Sequence, residues 1–275
     1  MLHILTIIGA RPQIIKAAAL SRVIRARFAG RIKEIIVHTG QHYDENMSQV
    51  FFEELGIPAP DHHLNTGSGE REAQIGKMVG GLKDLIPRIK PDAILVYGDT
   101  NSTKAGAEAG HELKIPVVHI EAGLRSFNNK MPEEINRIYT DKVSTLLFSP
   151  TKTGIENLRN ENITKGVYHC GDVMYDNSLF FAGIAEKQIL KNGNPEPGNY
   201  FLATVHRDFN TDDPDRLAEI FEAFENISSE HRMPVIIPLH PRTKKQISLL
   251  PGLENKIHTS KNIRLIPPAS FLEMI

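Results

Sequence analysis

Short apolar runs, each followed by a longer amphipathic stretch, constrain this chain more than any other feature. The runs are Leu2–Ile8, Glu34–His38, Ala93–Tyr97, Val117–Ile120, Leu146–Ser149 and Val167–His169. They are rich in Ile, Val and Leu and alternate little with polar residues, as strands covered on both faces do. Between them lie helical patterns over Pro12–Arg27, Asp44–Leu55, Glu70–Ile86, Ser102–Leu113, Pro132–Val143 and Thr151–Asn160. Strands and helices in strict alternation predict an α/β fold: a parallel sheet with helices on both faces.

The pattern then pauses and restarts. Lys191–Asn199 is dense in Pro, Gly and Asn and reads as a linker. Beyond it come strands at Tyr200–Val205, Pro234–Leu239 and Ile263–Ile266, with helices at Pro214–Ile227 and Arg242–Leu249. A boundary is expected near Gly171–Asp176, giving domains over residues 1–173 and 174–275 with a helix bridging into the second. The second domain stops at Phe271-Leu-Glu-Met-Ile275, inside an apparent helix, and is expected to be incomplete.

Net charge is −1, which recommends neither nucleic acid nor an anionic membrane as a partner. A single cysteine, Cys170, cannot form an internal disulfide and fits a reducing compartment. The amino terminus reads as a first strand rather than a signal peptide, and no apolar run approaches a membrane span. The expected location is the cytoplasm.

In open parallel sheets ligands sit at the carboxyl ends of the strands, so the loops after strands carry the argument. Gly9–Lys16, "GARPQIIK", places Arg11 at a helix N-terminus and Lys16 about a turn further on, a site for a phosphate by charge and by backbone N–H groups. An ordinary strand-to-helix turn accounts for the same residues. In "GQHYDEN", Gln41 and His42 could bind sugar hydroxyls, although a polar helix cap at Asp44 explains much of it. In "YGDTNST", Asp99 could point into the crevice as acid, base or orienter, or simply cap the next helix. The stretch "HIEAGLRSFNNKMPEEINR" ends a strand on Glu121 and opens a helix with Pro132, Glu133 and Glu134. Helix-dipole compensation and an ion pair with Arg137 would explain one of the last two carboxylates. They do not explain Glu121, whose charge is costly at a buried strand end. Three carboxylates around one crevice are expected to raise one another's pKa by repulsion and desolvation, enough to take a proton from carbon. His206 and Arg207 in "TVHRDFN", and His240 and Arg242 in "LHPRTKK", end strands of the second domain. They would face the first across a cleft and suit a diphosphate, or be solvated basic loops. There is no G-x-G-x-x-G after a strand and no Walker A loop, so no nicotinamide cofactor is expected; His62 and His63 lack ligand spacing, so no metal is expected.

Together these loops, with Gly171-Asp172, resemble in order and spacing the non-hydrolysing UDP-N-acetylglucosamine 2-epimerases. The resemblance runs from residue 1 to residue 275, and "YDENMSQ" after the "GQH" loop is similar to archaeal-type members. It implies two Rossmann-like domains of glycosyltransferase-B type, with substrate between them. It implies reversible conversion of UDP-N-acetylglucosamine to UDP-N-acetylmannosamine for surface polysaccharides. On this resemblance Asp99, Glu121, Glu133 and His206 are catalytic, Arg11 and Lys16 belong to the active site, Arg137 is the arginine of the central motif, and His240 and Arg242 lie on the second-domain loop. Arg207, Gln41 and His42 complete the expected substrate contacts. No cofactor is expected, and a homodimer is the expected assembly. The family pattern continues past residue 275 into a loop that holds UDP, so the chain is expected to be a fragment. The allosteric nucleotide-sugar site of many bacterial members is not carried over.

The chemistry supports the same reading. C2 of the sugar has no neighbouring carbonyl, so inversion needs transient oxidation or loss of UDP. Elimination needs a base at C2 and positive groups on the diphosphate; re-addition needs an acid on the other face. The alternatives are a glycosyltransferase of the same fold and a non-catalytic nucleotide-sugar-binding module.

Overall fold

The structure is a computed structural model that describes residues 1–41, 52, 55–189, 198–269 and 271–275. The chain divides into two compact units, Met1–Phe181 and Ala182–Ile275.

The first unit is a seven-stranded sheet of β1 (Leu2–Ile8), β2 (Ile32–His38), β3 (His62–His63), β4 (Ala93–Tyr97), β5 (Val117–Ile120), β6 (Leu146–Ser149) and β7 (Val167–His169). Its order is β3-β2-β1-β4-β5-β6-β7 and every pairing is parallel. Chain order reverses between β1 and β4, which pair Ile4 with Ala93 and Thr6 with Leu95. That reversal opens the crevice where such sheets bind ligands. Strand β3 has two residues and escaped expectation, because so short an edge carries no periodicity.

Helices cover both faces: α1 (Arg11–Val23), α2 (Arg71–Ile89), α3 (Asn101–Glu112), α4 (Pro132–Val143), α5 (Lys152–Asn160) and α6 (Val173–Ile189). Helix α1 runs into a π-helical turn at Ile24–Phe28. On one face Leu5, Ile7, Val37, Ile94 and Val96 pack with Met78, Leu82 and Ile86 of α2 and with Ala105 and Ala109 of α3. Helix α3 lies close because it has no side chain at Gly110, where a Cβ would come within 2.6 Å of Val117 Cγ2. On the other face Asn177 of α6 donates to the Ile15 carbonyl of α1 at 2.6 Å, and the Arg22 guanidinium lies 3.7 Å from the Phe180 ring centroid. Helix α2 runs past its expected end at Ile86 with Pro87 inside it. The proline sits in the last turn, and the helix closes where Lys90, in the left-handed region, donates its N–H to the Ile86 carbonyl at 2.8 Å. The expected helix over Asp44–Leu55 lies outside the described residues except at Phe52 and Leu55.

The second unit is a parallel sheet in the order β10-β9-β8, from β8 (Phe201–Leu202), β9 (Val235–Pro238) and β10 (Ile263–Ile266). Its helices are α7 (Asp208–Thr211), α8 (Pro214–His231), α9 (Pro241–Ser248), α10 (Pro251–Thr259) and α11 (Phe271–Met274). Leu217, Phe221, Val235, Ile237, Ile247, Ile257 and Ile263 form its core. Strand β8 is shorter than the expected Tyr200–Val205; past its end the Ala203 N–H donates to the Ile236 carbonyl at 3.0 Å, and the Val205 carbonyl accepts from the Thr243 hydroxyl. Helices α7 and α10 were not expected. The division between the units falls inside α6, whereas the sequence places the boundary where that helix begins. No helix among the described residues is long and apolar enough to cross a membrane.

Candidate functional site

The turn after β1 is built by Gln13. Its side-chain oxygen accepts from the N–H of Gly9 at 2.9 Å and of Ala10 at 3.2 Å. Its amide donates to the Tyr97 carbonyl and to Thr103, which ties the start of α1 to the end of β4. Arg11 is exposed at the first position of α1. Lys16 is turned inward, where its Nζ pairs with Glu121 Oε2 and both side chains are largely buried. Gly98 lies against this pair: a Cβ there would stand 2.9 Å from Lys16 Nζ and 3.3 Å from Glu121 Oε2. Glu121 itself is left-handed, with φ of 76°. Its N–H and that of Ala122 both donate to the Phe148 carbonyl of β6 at 3.0 Å.

Asp99 does not cap α3. Thr100 does, its hydroxyl accepting the Thr103 N–H at 3.3 Å, so Asp99 is not needed as a cap. Asp99 instead lies 3.5 Å from Arg137. Arg137 also pairs with the Glu134 carboxylate at 3.1 Å. The sequence leaves open which of the two adjacent glutamates is structural, and the fold separates them. Glu134 is buried and accepts the N–H of Ser126 at 3.0 Å and of Phe127 at 2.9 Å. Burial opposes its charge, but these two amides and Arg137 prevail and lower its pKa. Glu133 is exposed, and its carboxylate has no hydrogen-bond or ion-pair partner among the described residues. The expected trio of mutually repelling carboxylates is therefore corrected. Lys16 stands against Glu121 and Arg137 against Asp99, and the Glu133 carboxylate pairs with neither cation, Arg137 reaching only the Glu133 main-chain carbonyl at 3.4 Å.

A further group carries too weak a signal in the sequence to be expected. His119 is fully buried in β5, with Nε2 2.8 Å from the Gly98 carbonyl and Nδ1 2.7 Å from Asp141 Oδ1. Asp141 Oδ2 accepts from Arg125 at 2.7 Å and from the Gly123 N–H at 3.1 Å. Arg125 also forks onto Glu161 at 2.7 and 2.8 Å. Burial opposes the charge of Asp141, but His119 and Arg125 lower its pKa. Burial likewise opposes that of Arg125, and Glu161 and Asp141 raise it. The only signal available was a histidine interrupting an apolar strand.

Gln41 is engaged: its side-chain oxygen accepts from the Ser102 N–H at 3.0 Å and hydroxyl at 2.7 Å, which leaves its amide nitrogen for other contacts. His42 lies outside the described residues. In the second unit His206 and His240 follow β8 and β9, with ring centroids 5.6 Å apart. His240 caps α9, its Nδ1 accepting the Arg242 N–H at 3.1 Å. Arg207 is exposed at the head of α7. Arg242 is paired with Asp212, whose pKa it lowers. Among the described residues no grouping of His, Cys, Asp and Glu could hold a metal ion.

Residues 25–275 match the sequence model of a family described as UDP-N-acetylglucosamine 2-epimerase. The chain belongs to the UDP-N-acetylglucosamine 2-epimerase family. It is 49% identical over 277 residues to a UDP-N-acetylglucosamine 2-epimerase homolog of Methanococcus maripaludis, covering 100% of this chain and 75% of the relative. It is 48% identical to the UDP-2,3-diacetamido-2,3-dideoxy-D-glucuronate 2-epimerase of Pseudomonas aeruginosa, with the same coverage. The crystal structure of the Methanocaldococcus jannaschii UDP-GlcNAc 2-epimerase in complex with UDP-GlcNAc and UDP superposes with a TM-score of 0.83 at 40% identity, over 99% of this chain and 75% of that one. As a 2-epimerase family member the chain is an isomerase, and its α/β fold with parallel sheets is the one the resemblance implied.

Proposed function

We propose that this epimerase inverts C2 of UDP-N-acetylglucosamine to give UDP-N-acetylmannosamine, reversibly, by eliminating and re-adding UDP through a glycal. The observation that carries the reading is the Lys16–Glu121 pair against Gly98, with Asp99 on the adjoining turn and Arg137 reaching it from α4, at the reversal of the sheet. Carboxylates and cations at one crevice supply what elimination requires. A base removes the C2 proton, an acid returns it on the other face, and positive charge meets the departing diphosphate. Asp99, Glu121 and Glu133 share the acid and base roles with His206. Arg11, Lys16, Gln41, His42, Arg137, Arg207, His240 and Arg242 bind substrate. The protein acts without a cofactor, as a cytoplasmic homodimer, and supplies precursors of surface polysaccharide.

A second substrate is favoured by one observation. Identity to the epimerase of UDP-2,3-diacetamido-2,3-dideoxy-D-glucuronate is 48%, against 49% to the Methanococcus maripaludis homolog. Family membership sets aside the glycosyltransferase alternative.

The test is incubation of each nucleotide sugar in D2O with NMR at C2. The expected result is inversion with deuterium entering C2 of both epimers of one of the two sugars. Inversion with the original hydrogen retained would overturn elimination in favour of hydride transfer. Turnover of neither sugar would leave a non-catalytic nucleotide-sugar-binding module.

A further inference from the structure

We infer that His119 and Asp141 are positioning residues: His119 holds the Gly98 turn that carries Asp99, and Asp141 orients His119 and holds the Gly123 turn that follows Glu121. The inference rests on the reading of those two carboxylates as acid and base groups.

The path is short. A carbonyl oxygen only accepts, so the Nε2–H of His119 donates to Gly98, whose φ of 62° makes the turn into Asp99. Gly98 also donates its own N–H to the Ile120 carbonyl at 3.0 Å, next to Glu121. Asp141 receives Nδ1 of His119 on one oxygen, and the Gly123 N–H with Arg125 on the other. Gly123, with φ of 82°, is the second left-handed residue of the turn that begins at Glu121. Asp141 belongs to α4, the helix that also carries Glu133 and Arg137. One carboxylate thus fixes the ends of β4 and β5 to the helix that supplies the remaining charged groups. His119 and Asp141 are fully buried, so neither touches a ligand and both act through the backbone.

A buried polar network can also serve stability alone, and a pair of substitutions separates the roles. In His119→Gln the side-chain amide reaches as far as Nε2 and still donates to Gly98. In His119→Asn it reaches only as far as Nδ1, so the Asp141 contact survives and the Gly98 contact is lost. In the 275-residue chain, His119→Asn is expected to lower kcat about 10²-fold with KM nearly unchanged, the scale of a displaced reacting group. His119→Gln is expected to keep most of the turnover although both variants melt earlier. Equal loss in both, or loss that follows the unfolded fraction, would overturn the inference. Amide 1H–15N spectra give a reading independent of catalysis. Asp99 and Glu121 signals should shift in both variants because the ring is lost, but clearly further in His119→Asn than in His119→Gln; shifts of equal size in both would overturn it equally. If wild type turns over neither sugar, the functional proposal fails while the spectra still decide this one. Should His119→Asn not fold, Asp141→Asn is read by the same spectra, with shifts required at both Gly98 and Gly123.

Discussion

Glu133 and Glu134 are adjacent, chemically identical and opposite in circumstance. Glu134 is buried against two backbone amides and Arg137, while Glu133 is exposed at the head of α4. Glu134→Gln presents an NH2 group where an acceptor is needed, and is expected to cost about 1–3 kcal/mol at neutral pH. Because folding lowers the pKa of Glu134, the stability it contributes is complete above the ordinary carboxylate range. It is lost as pH falls through the lower folded value. The gap between variant and wild type should therefore close toward acid, and urea unfolding at several pH values checks it; a gap that widened in acid would contradict the assignment. Glu133→Gln should do the reverse. Its dipole contribution is only about 0.3–1 kcal/mol, yet turnover should fall on the order of 10²-fold if it transfers a proton. Wild-type turnover in Glu133→Gln would remove Glu133 from the catalytic set.

At the scale of elements, the loop between β5 and α4 holds two left-handed residues, Glu121 and Gly123, within three positions. Gly123 has no alternative: a Cβ would come 2.4 Å from the Gly154 carbonyl oxygen of α5. Gly123→Ala should lose about 1–3 kcal/mol from backbone strain alone, more with the clash. The denaturation midpoint measures this, and an unchanged midpoint would show that the loop has another conformation open to it. The strands and helices around the loop were legible in sequence, because each has enough residues for a period to show. Strand β3, with two residues, and α7, with four, were not. Among the proposed site residues, Asp99 and Glu121 stand out in the sequence because charge at the end of an apolar strand is costly unless a partner or a ligand meets it, and Lys16 because it follows Arg11 about a turn into α1. His119 and Asp141 were not. They lie 22 residues apart, and the hydrogen bonds that join them exist only after α4 packs on the sheet.

For the whole molecule, each unit closes a core of its own: Leu5, Val37, Met78 and Val96 in the first, Phe221, Val235, Ile247 and Ile263 in the second. The first has a seven-stranded sheet and the second a three-stranded one, so the first buries more of its chain and is expected to hold the greater stability. A chain cut after Ile189, retaining all of α6, should keep a cooperative thermal transition by calorimetry. A broad, non-cooperative melt would show that the first unit cannot fold alone.

The sequence by itself determined the alternation of strand and helix, the parallel sheets, the restart near residue 200 and the loops where charge gathers. Those properties depend on neighbours a few residues apart, through side-chain period and turn chemistry. Tertiary structure alone decided which charge meets which. It turned Lys16 inward onto Glu121, gave Arg137 to the carboxylates of Asp99 and Glu134 rather than to that of Glu133, and placed Asp141 between two turns from different strands. Apart from the Glu134–Arg137 pair, three residues apart on one helix, these contacts join distant positions, and their strength depends on burial. Both come into being only when the helices close over the sheet.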